Sequence, residues 1–157
     1  MTPTRTIAID DPLAPDVRAL LERHLAFAHE TSLPEDVHAL EADALAEPGV
    51  TFFSLREDGA LLGIGALKEL DPDHAELKSM HTAQEARGRG VARALVEHLI
   101  AVARHRGYRR LSLETGAGEA FAPARALYAR AGFEPCGRFG SYPESPNSAY
   151  MTREVEP

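Results

Sequence analysis

The chain of 157 residues carries a net charge of −7 and one cysteine, Cys136. So acidic a composition argues against general nucleic-acid binding, and a lone cysteine excludes an intrachain disulfide. With 44% apolar residues, no apolar run long enough to span a membrane and no leader-like start, it predicts one domain over 1–157, off the membrane and in the cytoplasm.

Taken in chain order, Thr6 to Asp10 alternates apolar and polar residues and predicts a first strand. Asp16 to His29 predicts a helix with Val17, Leu20, Leu21, His24, Leu25 and Ala28 on one face. After Leu33-Pro34, a second short helix is expected from Glu35 to Ala46. Val50 to Arg56, Leu61 to Leu70 and Ala75 to Thr82 read as a three-stranded meander, turned at Asp58-Gly59 and Asp71-Pro72-Asp73-His74. The strongest helix follows, with Ala92, Leu95, Val96, Leu99, Val102 and Ala103 on one face and Gly107 as its stop. Arg110 to Thr115 predicts a strand and Ala120 to Ala131 a helix with Pro123 in its first turn. Phe133 to Cys136 and Ala149 to Val155 predict two last strands around a loop rich in Pro, Ser and Asn. The order makes an α/β domain with a mixed sheet.

Charge is unevenly placed along this order. Arg87 to Arg110 holds seven arginines against one acid, Glu97. Within it, Arg87-Gly88-Arg89-Gly90-Val91-Ala92 lies between a strand and the start of the long helix. Unpaired amides at a helix N-terminus favour an anion, and the two glycines let a backbone approach it closely. Arg87 and Arg89 add donors, so the segment reads as a phosphate or pyrophosphate site. A Walker loop would need Gly-Lys-Ser/Thr, and a dinucleotide fingerprint would need a small residue where Arg93 stands. Both are excluded.

The loop resembles the coenzyme A loop of the GNAT superfamily of N-acetyltransferases, Arg/Gln-x-x-Gly-x-Gly/Ala, at every fixed position of Arg87 to Ala92. Leu127-Tyr128-Ala129-Arg130-Ala131-Gly132-Phe133 resembles that superfamily's Leu-Tyr-x-x-x-Gly-Phe motif, about 40 residues further on. A nearer likeness is to the bacterial YsnE-type subgroup, carried by Gly65 to Leu70, Glu76 to Met80 and Phe139 to Ser148. The resemblance implies a mixed, mostly antiparallel sheet of about seven strands flanked by about four helices. It also implies an enzyme that transfers an acetyl group from acetyl-CoA to a primary amine, of a small molecule or amino acid, in a ternary complex.

Carried over residue by residue, it places acetyl-CoA on Met80, His81 and Thr82, on Arg87, Gly88, Arg89, Gly90, Val91 and Ala92, and on Tyr128. Tyr128 becomes the acid that protonates the departing sulfur, or a ring that packs on Phe133. Glu76 becomes the base, or a partner of Lys78; the two-residue period puts it on one face with Lys78 and Met80, and His81 on the other. His29, Glu30 and His38 fall in the helical region expected to cover the acceptor, with Phe139 and Tyr142 as the opposite wall. Phe121 stands where many relatives have an asparagine that touches the pantetheine arm. No metal is expected, since no ligand cluster has zinc-like spacing. Cys136 reads as a buried, inert thiol. A peptide acetylator and an acyl-CoA-binding sensor without turnover are the alternatives, and a homodimer through edge strands is compatible with either.

Overall fold

The computed structural model describes residues 4–31, 45–140, 142 and 145–155, with backbone alone over 24–31. In chain order the elements are β1 (Arg5–Ile9), α1 (Pro15–Thr31), β2 (Val50–Glu57), β3 (Ala60–Asp71) and β4 (His74–Thr82). Then follow α2 (Val91–His105), β5 (Arg110–Gly116), α3 (Ala122–Arg130), β6 (Glu134–Cys136) and β7 (Ser148–Glu154). Short 3-10 turns at Gln84–Ala86 and Glu119–Phe121 precede α2 and α3.

The seven strands form one sheet in the order β1-β2-β3-β4-β5-β7-β6. Local chemistry sets the meander. Asp58 and Gly59 both take positive φ in the two-residue β2–β3 turn, the conformation that matches strand twist in a hairpin. Every neighbouring pair is antiparallel except β4–β5. That parallel pair needs a crossover, and α2 supplies it.

Pleating divides the core. Phe53 and Leu67 join Leu77, Leu99, Ala103, Leu111 and Leu113 in one cluster. Their chain neighbours Phe52 and Ala66 join Val17, Leu20, Leu21 and Ile64 in a second. Helix α2 buries Val91, Leu95, Val96, Leu99, Ile100 and Ala103. Val91 and Ile100 thus take the places expected of Ala92 and Val102, a slight rotation of the buried stripe.

Three α-helices are described against the four or so expected; most of the helix expected over Glu35 to Ala46 lies outside the described residues. The helix expected from Ala120 begins instead as a 3-10 turn, and the α-helix proper starts at Ala122. Among the described residues no helix is long and apolar enough to cross a membrane, and no group of acids, histidines and cysteine is placed to hold a metal. Cys136 is half-buried on the outermost strand rather than fully enclosed, and burial raises its thiol pKa.

Candidate active site

The pairing of β4 with β5 stops at Leu77 opposite Leu113, although β4 continues to Thr82 and β5 to Gly116. Beyond that point the inner strands part. A parted pair leaves backbone N–H and C=O groups facing the gap, ready for a ligand. A cleft of about 610 Å³ runs through the split, lined by Glu76 to Thr82 on one side and Leu113 to Gly116 on the other.

One end of the cleft is the N-terminus of α2. Gly88 and Gly90 take φ of 79° and 77°, left-handed values that cost glycine little. Gly90 is the N-cap residue, and no side chain caps the helix. The first-turn amides have no intrahelical partner and carry the positive end of the dipole. Arg87, Gly88, Gly90, Val91, Ala92 and Arg93 line this end. Arg89 does not line it. Its guanidinium turns out to Glu57 at 2.5 Å, on a carboxylate that also takes Arg5 at 3.2 Å.

The other end is polar and largely buried. Glu76 is 2% exposed and Lys78 is 9% exposed. Lys78 Nζ donates to Glu76 Oε2 at 3.1 Å and to the Tyr142 hydroxyl at 2.6 Å, and that hydroxyl donates in turn to Glu76 Oε2. Burial first, then Glu76 and Glu114 close by, push the Tyr142 hydroxyl well above the usual phenol range. Glu114 lines the cleft and accepts from Ser148 Oγ at 2.7 Å. Tyr142 is backed by Phe139 and Tyr150, whose ring centroids lie 5.5 and 5.8 Å from its own.

The two-residue period fails at the centre of β4. Ser79 has φ of 55°, and between the pairs Ala66–Lys78 and Ile64–His81 two residues of β4, Ser79 and Met80, lie opposite Gly65 alone. This bulge reverses the parity. His81 therefore shares the face of Glu76 and Lys78, whereas Met80 turns to the α2 side. A Cβ at Gly65 would come within 2.6 Å of Met80 Sδ and 3.0 Å of Leu99 Cδ1. The expectation that Met80 shares a face with Glu76, and that His81 does not, is corrected on this ground. Ser79 Oγ is also the one buried side-chain polar atom without a hydrogen bond among the described residues. Alternation gave no sign of the bulge.

Tyr128 lies on the wall between the two ends, 7% exposed. Burial pushes its phenol well above the usual range. Both of its expected environments are present. The Phe133 amide donates to the Tyr128 carbonyl at 3.0 Å, the Gly132 amide to Ala129 at 3.1 Å, and Gly132 has φ of 95°. These bonds define a Schellman end, and the Tyr128 and Phe133 rings meet edge to face at 5.9 Å. Phe121 packs on Gly116, where a Cβ would come within 2.1 Å of its ring, and also lines the cleft.

Among the other expected contacts, Thr82 lines the cleft, while Phe139 stands behind Tyr142 and not on the cleft surface. His29 and Glu30 lie on the last turns of α1, where backbone alone is described, and His38 lies outside the described residues. Glu114, Ser148 and the Tyr142–Lys78 contact were not singled out in the sequence. The signal for Glu114 is that it lies two residues from Ser112 on a strand next to the Glu76 strand.

The profile of the acetyltransferase (GNAT) family matches residues 15–133. The chain belongs to that family. The uncharacterized N-acetyltransferase YsnE of Bacillus subtilis (strain 168) is 46% identical over 149 residues, covering 95% of this chain and 99% of its own. A crystal structure of a candidate acyl-CoA N-acyltransferase from Klebsiella pneumoniae superposes with a TM-score of 0.81 at 26% identity, covering 97% of this chain and 98% of that one. N-acetylglutamate synthase from Neisseria gonorrhoeae, crystallised with coenzyme A and N-acetyl-glutamate, gives 0.74 at 21% identity, covering 98% of this chain and 36% of that longer one. The GNAT protein described here is thus an N-acetyltransferase of the YsnE type, in a family that draws its acyl group from acyl-CoA.

Proposed function

We propose that this enzyme moves an acetyl group from acetyl-CoA to a small-molecule primary amine, amino acids included. The observation that carries the reading is the split between β4 and β5, opening beside an uncapped helix N-terminus with Arg87 on its rim. The cradle fits a coenzyme: Cβ atoms at Gly88 and Gly90 would meet nothing within 4 Å, so open space adjoins these backbone positions.

When bound, acetyl-CoA supplies the acetyl group activated as a thioester. Arg87 and the first-turn amides of α2 hold the pyrophosphate, and the dipole favours its charge. Backbone donors on the parted stretch of β4 polarise the carbonyl oxygen. Glu76 takes a proton from the incoming ammonium, directly or through water, so that the neutral nitrogen forms the new C–N bond as the C–S bond breaks. Tyr128 gives its proton to the departing sulfur and regains one from the amide nitrogen. The sum is one amide, one free thiol and one proton released. Much of the acceleration comes from holding amine and thioester together.

Calorimetric titration with acetyl-CoA, alongside ATP and NAD, tests the donor. Selective acetyl-CoA binding is expected. Gly90→Asp, with room for a side chain but a left-handed φ, should cost about 1 kcal/mol of stability and weaken binding at least about a hundredfold by placing a carboxylate against the pyrophosphate. Wild-type affinity in that variant overturns the loop assignment. Absence of binding in folded, coenzyme-free wild type overturns the whole reading.

A further inference from the structure

Resting on the transferase reading, we propose that Leu77 and Leu113 gauge the acyl group, holding it to the length of an acetyl and refusing longer chains.

The first ground is where the split stops. Behind the pair Leu77–Leu113 the β4–β5 ladder is unbroken, through Glu76–Ser112 and Ala75–Leu111 to His74–Arg110. Paired strands lie about 4.8 Å apart, too close for an acyl chain to pass between them. The split is therefore a notch with a closed end. Both leucines line the cleft, yet they are only 3% and 2% exposed. The rest of each side chain is held in the cluster that includes Leu99, Phe133 and Tyr128.

The second ground is where the chemistry has to sit. Glu76 precedes Leu77 on β4 and so points to the other face of the sheet. Tyr128 packs in the cluster of Leu77 and Leu113. Base and acid thus stand on opposite faces beside the closed end, and both reach one carbonyl carbon only if it lies there. The coenzyme leads away from this point toward α2, which leaves the acyl chain facing the two leucines.

A longer chain has three directions and all are obstructed. Straight on is the intact ladder. On the Tyr128 face is packed core, where extra methylenes force side chains off their preferred rotamers. On the other face is the buried Glu76–Lys78 pair with the Tyr142 hydroxyl, and methylenes there would cover charged groups without giving them a hydrogen bond. In a fitted apolar pocket one methylene discriminates about 10- to 200-fold.

Calorimetric titration of the full chain with acetyl-, propionyl- and butyryl-CoA tests the proposal and needs no acceptor. Butyryl-CoA should bind at least about tenfold more weakly than acetyl-CoA, with propionyl-CoA in between. Leu113→Ala, which hollows out the closed end, should tighten butyryl-CoA about tenfold relative to acetyl-CoA. Leu113→Val removes less volume and suits a strand, so it carries the test if the alanine variant fails to fold; there the ratio should move about threefold. Leu21→Ala, equally buried but in the other cluster and off the cleft, should leave the ratio at its wild-type value. Butyryl-CoA held as tightly as acetyl-CoA by the wild type overturns the proposal and leaves the transferase reading standing. So does a ratio unmoved in the folded Leu113 variants, or moved as far by Leu21→Ala. Absence of acetyl-CoA binding in folded wild type overturns the transferase reading, and the proposal with it.

Discussion

At the scale of single residues, the site is a set of groups whose protonation is fixed by their surroundings. Burial holds Tyr128 protonated well past the usual phenol range, the state a proton donor needs. Tyr128→Phe should lower kcat about a hundredfold while acetyl-CoA affinity changes little, a separation that thiol-release kinetics and calorimetry read independently. His74 provides a test of stability. Burial lowers its imidazole below the ordinary value of 6.5, so the folded chain prefers it neutral. As pH falls below that value the unfolded chain takes up the proton first, and stability declines until the folded pKa is passed. Between pH 7 and 5 the urea midpoint should drop, and His74→Gln should flatten that slope. An equal slope in the variant would assign the acid sensitivity elsewhere.

At the scale of elements, α2 does two jobs with opposite ends. Its N-terminus faces the cleft, and its middle, with Leu99 fully buried, anchors β3 and β4. Leu99→Ala should cost about 3 kcal/mol in urea unfolding, since that site is enclosed by neighbours that cannot collapse freely. The end of α3 is equally specific. Gly132 has φ of 95°, and a Cβ there would lie 3.1 Å from the Arg153 guanidinium. Gly132→Ala should lose about 1–2 kcal/mol and loosen the turn that seats Tyr128. Both features were legible in the sequence, because periodicity and a glycine after a helix report backbone physics directly. The bulge at Ser79 was not. It is an irregularity of the β3–β4 pairing that strict alternation along β4 does not encode, so alternation puts Met80 and His81 on the wrong faces. Arg89 is similar: an arginine in the loop suggests a phosphate contact, but Glu57, distant in sequence, takes its guanidinium. The order of elements along the chain and the mixed sheet were legible from the meander, the crossover helix and the loop, whereas the insertion of β7 between β5 and β6 was not. Nor were the partners of Glu76, because Tyr142 is 66 residues away.

At the scale of the whole molecule, four residue pairs join β4 to β5. Strands β1 to β4 end by Thr82 and β5 to β7 begin at Arg110, so the sheet falls into two leaves that are also two consecutive stretches of chain. Acetyl-CoA at one hundred times its Kd should add about 2.7 kcal/mol of stability and raise Tm by roughly 5–10 °C, as differential scanning fluorimetry would read. A ligand seated in that gutter acts as mortar between two pages that a short seam binds. Severed at the exposed turn around Gly107, the halves should rejoin in proportion to the donor present, which makes this fold a ready blueprint for a split reporter of acyl-CoA supply.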